Sequence, residues 1–202
     1  MNLLTDNLPE EIDGIPIDTD YRNMIKLDQL ILDESVSSGD KFLLALNLLY
    51  QEPVPDLQKA WDGLLWYYGL GAAPEKPENR PTKKSKTVFD FEQDATLIYA
   101  AFLEVYHIDL QQTPLHWWAF LALLSALPES CPMGKIMQYR AMDTSKLKGA
   151  EKKRVQEIQR AFAIRQKRRA EKMTLEERNA AILAKAHQRQ KEAREWARQK
   201  NR

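Results

Sequence analysis

The chain has 202 residues, room for one domain with a real core plus an appendage but little room for two. One cysteine, Cys131, excludes an internal disulfide, and no amino-terminal stretch joins a basic start to an apolar run, so the expected setting is reducing and cytosolic. The net charge of +1 conceals a division: residues 1–145 carry 11 Lys and Arg against 22 Asp and Glu, whereas residues 146–202 carry 19 against 7. Glycine is scarce, at 7 residues, and sustained apolar–polar alternation is absent. The expected class is therefore all-α, a compact helical domain with a long basic C-terminal helical arm.

Residues 1–17 hold Pro9, Gly14 and Pro16 and predict an extended lead-in in which Leu8, Ile12, Ile15 and Ile17 pack locally. A helix is predicted after Asp18 and Thr19, with Tyr21, Met24, Ile25, Leu27, Leu30 and Ile31 on its apolar side. Ser37, Ser38 and Gly39 punctuate it, and Asp40 is placed to cap a second helix over 41–50, whose run Phe42–Leu46 is expected to be buried. Pro55 suits the first turn of a third helix, which runs through Trp61 and Leu65 to about Tyr68. Residues 71–87 contain three prolines, several lysines and no large apolar side chain, the composition of a flexible linker or long surface loop within the acidic body.

The series Asp90-Phe91-Glu92-Gln93 matches a capping box, with Gln93 reaching back to the amide of the cap, and Glu92 and Asp94 lie at the positive end of the helix dipole. Phe91, Ala95, Ile98, Tyr99, Phe102 and Tyr106 recur at helical spacing behind it. The next segment, TPLHWWAFLALLSALP, begins with Thr113 as a cap and Pro114 at the first helical position and stops at Pro128. It is shorter than the ~20 residues a membrane span needs and is apolar nearly all round, so it predicts the buried center of a helical core. Trp117 and Trp118 point about 100° apart on a helix and cannot form one stacking platform. This helix and the preceding one are expected to form an antiparallel pair joined by residues 107–112, and a short helix is predicted over 135–142.

From Asp143 or Thr144 the character changes. Residues 146–172 predict a basic helix with a narrow stripe of Val155, Ile158 and Phe162, either docking on the body of residues 1–145 or leaving it. Residues 173–202 predict a protruding arm, opened by a second capping box, Thr174-Leu175-Glu176-Glu177. Leu175, Ile182, Arg189 and Trp196 recur every seven residues, but Asn179, Ala186 and Ala193 make a poor coiled-coil seam. A helix polar on nearly every face projects into solvent or waits for a partner. Candidate partner-binding residues are Arg165, Arg168, Arg169, Leu175, Ile182 and Trp196.

No enzyme, cofactor or metal site is expected. His107, His116 and His187 with Cys131 show no ligand spacing, and there is neither a phosphate loop nor a nucleophile elbow. The pairs Asp18/Asp20 and Asp90/Asp94 are better explained as helix caps than as acid–base partners. His116 reads as a hydrogen-bonded core or boundary residue. The basic segment is open to three readings, in descending order: a solvated helix that offsets the acidic body, a protein-binding arm, and a nucleic-acid contact, the last weakened by the lack of stacking aromatics.

Five blocks in order carry a resemblance: Asp18-Thr19-Asp20-Tyr21-Arg22, DFEQDATLIYAAFLEVYHIDL from Asp90, LHWWAFLALL from Leu115, IMQYRAMD from Ile136, and LKGAEKKRVQEIQRAFAI from Leu147. Over residues 15–165 the chain resembles the phage gene-product-fifteen family of long-tailed bacteriophages and prophages, encoded among tail-module genes. The segment after Arg165 is longer than the family pattern. The resemblance implies a role in tail morphogenesis in the host cytoplasm, as a chaperone that coats the tape measure protein. The implied partners are the tape measure or other tail proteins, with self-association open and no membrane. A structural virion component is the alternative, and a nucleic-acid adaptor is a third. The family implies no catalytic residues.

Overall fold

A computed structural model describes residues 4–72 and 87–165. The chain divides into Met1–Ile164 and Arg165–Arg202. The predicted arm over 173–202, with its capping box and heptad positions, lies outside the described residues, as does nearly all of the predicted linker.

The lead-in is a small hairpin. Strands β1 (Glu11–Ile12) and β2 (Ile15–Pro16) pair antiparallel, Ile12 opposite Ile15, across Asp13-Gly14, both at positive φ (52° and 77°). Consecutive positive φ values are what a two-residue hairpin turn requires, and Asp-Gly supplies them readily. The chain then runs along the end of the second helix, with Asp18 N donating to Leu49 O at 2.7 Å and Gln51 N to Pro16 O at 3.1 Å.

Seven α-helices follow among the described residues: α1 (Tyr21–Leu32), α2 (Ser38–Leu49), α3 (Leu57–Tyr68), α4 (Ala95–Tyr106), α5 (Trp117–Ser125), α6 (Pro132–Ala141) and α7 (Gly149–Ala161), with a 3-10 turn at Thr144–Lys146. The all-α class therefore holds, with the hairpin as its small exception. No described helix is long and apolar enough to cross a membrane. The backbone of α1 lies against α2 and α5, α2 against α3, α4 against α6, and α6 against α7.

Several boundaries differ from the sequence expectation. Ser37, not Asp40, caps α2: its Oγ accepts from Asp40 N and donates to the Asp40 carboxylate. Asp56 caps α3 through the amides of Gln58 and Lys59, which leaves Pro55 ahead of the cap. Cys131 caps α6 and Pro132 opens it, so that helix starts earlier than predicted. Asp90 does accept from the amides of Glu92 and Gln93, but its own N–H donates to Asp94, while Gln93 reaches across to Ala163 O.

The largest difference concerns α5. Thr113 and Pro114 do not open it; His116 does, with Nδ1 accepting from Trp118 N at 3.0 Å. The residues before it pair with the start of α1: Tyr21 N donates to Leu115 O and Trp117 N to Thr19 O. This backbone clamp extends Leu115 and sets α5 beside α1 rather than backbone-to-backbone with α4. Helices α4 and α5 meet through side chains, Phe102 stacked on Phe120 at 5.1 Å and Tyr106 Oη donating to Leu123 O.

The core draws on α1–α6 and the hairpin, with Met24, Leu49, Tyr67, Phe102, Phe120, Leu124 and Met133 wholly enclosed. The run Phe42–Leu46 is not buried throughout. Ala45, Leu46 and Leu49 face inward, whereas Leu43 and Leu44 stand out at 52% and 45% exposure, because one helix face cannot accommodate five consecutive apolar side chains. On α7, Val155 is buried, Ile158 is half-buried and Phe162 is exposed.

Candidate partner-binding surfaces

The tryptophan pair forms a closed hub. Trp117 and Trp118 are each 1% exposed and diverge as consecutive helical residues must. Trp117 stacks on Tyr68 and Phe120, and its Nε1 donates to Tyr68 O; Trp118 meets Trp66, Tyr67 and His116, and its Nε1 donates to Tyr67 O at 2.7 Å. Both indoles thus satisfy the carbonyls that end α3, and no space is left for a ligand.

His116 sits at the edge of this hub. Nδ1 is occupied as an acceptor, so Nε2 carries the proton and donates to Pro9 O at 3.1 Å. Burial lowers its pKa, outweighing the opposing effects of Pro9 O and Glu10. A neutral, doubly engaged imidazole tying α5 to the lead-in is a structural residue.

A second polar center was hidden from the sequence. Arg140 of α6 pairs with Asp94 at 2.5 and 3.0 Å, both side chains being almost fully enclosed, and also donates to Val88 O and Phe162 O. Gln159 adds bonds to Tyr139 O and Met142 O. One guanidinium therefore joins α6, the approach to α4 and the end of α7. Asp94 precedes α4 but makes no cap bond of its own. Its role as an ion-pair partner could not be read from capping logic, since the partner lies 46 residues away.

The surface offers two further features. A groove of about 880 Å³ opens between the hairpin and α3, lined by Glu11, Ile12, Asp13, Ile15, Tyr50, Asp56, Lys59, Asp62, Gly63 and Trp66 among others. Tyr50 is anchored there by a bond to Ala60 O, and burial together with the charge of Asp13 pushes its hydroxyl up to about 12. In addition, Ile31 and Leu32 of α1, Leu43 and Leu44 of α2, and Leu57 and Leu65 of α3 are exposed.

Of the predicted partner-binding residues, the structure describes Arg165 alone, an exposed residue just past Ile164. Arg168, Arg169, Leu175, Ile182 and Trp196 lie outside the described residues. The groove and the exposed leucines were missed by the sequence reading. Asp13-Gly14 was the available signal for the hairpin wall, and the excess of apolar residues over one face was the signal on α2.

No curated protein matches the chain, and no solved structure does. A family model described as Bacteriophage Gp15 protein matches residues 4–164, which takes in the hairpin, all seven helices and the Arg140 corner and ends where the first unit ends. The match spans well over half of the chain, and the protein belongs to the bacteriophage Gp15 family.

Proposed function

We propose that this protein is a tail assembly chaperone, a non-enzymatic binding protein that holds the tape measure protein in the host cytoplasm during tail morphogenesis. The observation that carries the reading is membership of the phage family over residues 4–164. The surface supports it: a saturated core leaves six large aliphatic side chains exposed on α1–α3, and such side chains suit the apolar stripe of a long helical client. Several weak contacts serve a chaperone better than one tight site, because the client must be released when the tube polymerises.

The test is affinity capture of the tagged protein from phage-producing cells, with mass spectrometry of bound proteins and of purified particles. Tape measure peptides in the capture, with the protein absent from particles, is the expected result. Its presence in finished particles would make it a structural virion component instead. Capture of nucleic acid that falls steeply with rising salt would favour the adaptor reading.

A further inference from the structure

The groove between the hairpin and α3 combines an apolar floor with an anionic rim. Ile12 and Tyr50 are buried and Trp66 is half-buried, whereas Glu11, Asp13, Asp56 and Asp62 are exposed around them. Asp56 accepts from the amides that begin α3, and Asp62 from the Gln58 side chain, but such neutral donors leave the charges in place. Neither the Asp20–Arg22 nor the Asp94–Arg140 ion pair involves Glu11, Asp13, Asp56 or Asp62. Lys59 is the cation within the lining, against four carboxylates.

The walls are fixed. An added Cβ on Gly63 would lie 2.6 Å from Tyr50 Oη and 2.8 Å from Ile12 Cγ2, so the absence of a side chain lets the hairpin close on α3. The volume falls within the roughly 300–1,000 Å³ of pockets that hold drug-sized ligands, room for several side chains rather than one ion. A purely apolar segment laid here would strip water from the carboxylates and return nothing, and a polyanion would be repelled. A segment carrying Lys or Arg beside an apolar side chain satisfies both parts.

We propose that this groove docks a cationic amphipathic segment of a partner protein, its Lys or Arg side chains meeting Glu11, Asp13 and Asp62 while an apolar side chain rests on Ile12 and Trp66. This rests on the chaperone reading and specifies which part of the client is gripped. The occupant is a basic stretch, not the apolar stripe alone.

The probe is a dye-labelled amphipathic helical peptide of Leu, Ala and Lys, with a counterpart carrying Glu for Lys, titrated by fluorescence anisotropy against the full chain. The lysine peptide should bind and the glutamate peptide should not. The double variant Glu11→Lys/Asp62→Lys should weaken binding by about tenfold or more, in line with loss of close charge pairs, with an unchanged unfolding temperature. Should that variant misfold, Asp13→Asn/Asp62→Asn removes charge while keeping a residue that tolerates the positive φ of the turn. Equal binding of both peptides, no binding of either, or undiminished binding by the folded variants would overturn the proposal. In the cell-capture experiment, a variant that retains the tail protein sinks the groove assignment alone, whereas a wild-type chain that captures none sinks the chaperone reading and leaves the peptide titration to judge the groove. A drop in the sedimenting mass of the free protein on charge reversal would identify the occupant as a second copy of this chain and overturn the partner assignment.

Discussion

Trp117 and Trp118 show how much a single side chain contributes to this fold. Each packs against the end of α3 and donates to a carbonyl there, so truncation opens a cavity in both cases; it also leaves Tyr68 O without the Trp117 indole, whereas Tyr67 O keeps the Leu70 amide when Trp118 is lost. Trp117→Ala and Trp118→Ala are each expected to cost on the order of 3–5 kcal/mol in urea unfolding, and a loss under ~1 kcal/mol at both would contradict a core role. Arg140 differs in kind. Replacing it with Met leaves Asp94 charged and enclosed, and the carbonyls of Val88 and Phe162 without their donor. The expected loss is again about 3–5 kcal/mol, from an uncompensated buried charge rather than from a cavity. Exchanging both partners for apolar residues of similar size should recover much of it, and a double variant as unstable as Arg140→Met would argue against that cause.

At the level of elements, α6 is held down by Gly134. A Cβ there would lie 2.2 Å from Pro128 O, so Gly134→Ala should destabilise the protein even though alanine favours a helix interior by ~1 kcal/mol over glycine. A stabilised Gly134→Ala protein would show that the turn at Pro128 yields easily. Elements also mark where the sequence was legible. The seven described helices follow from apolar spacing, capping residues and proline, all of which act within a few residues of one another. The start of α5 was misread because Thr113-Pro114 is a sound local signal overridden by the distant amides and carbonyls of α1. The exposed Leu43 and Leu44 escaped because composition reports how apolar a run is, not how many neighbours it will have. The groove depends on Gly63, Tyr50 and Ile12 meeting across three elements, for which no short pattern exists.

For the whole molecule, two kinds of partly or wholly buried titratable group contribute to the pH dependence of stability. The unfolded chain protonates His116 near pH 6.5, whereas the fold lowers its pKa and holds the ring neutral. That contribution is fully present above about pH 6.5 and is lost as pH falls toward the lowered folded value. Tyr50, Tyr67 and Tyr68 act in the opposite sense: burial raises all three, so their contribution is held below about pH 10, where the unfolded chain begins to ionise, and lost as pH rises further. Urea midpoints measured across pH should decline at both ends. His116→Asn, which keeps a capping side chain but cannot titrate, should flatten the acid side, and an unaltered acid slope would assign that decline to other groups. The Arg140 corner has a further consequence, for the timing of synthesis. Its acceptors on Val88, Asp94 and Phe162 cannot meet until Phe162 has been translated, and Arg165–Arg202 are added after that. Since domains fold as units from the N-terminal side during translation, and a newly joined residue is still enclosed by the ribosome, it is the addition of the basic segment that carries Phe162 clear of the site of synthesis and frees the corner to close.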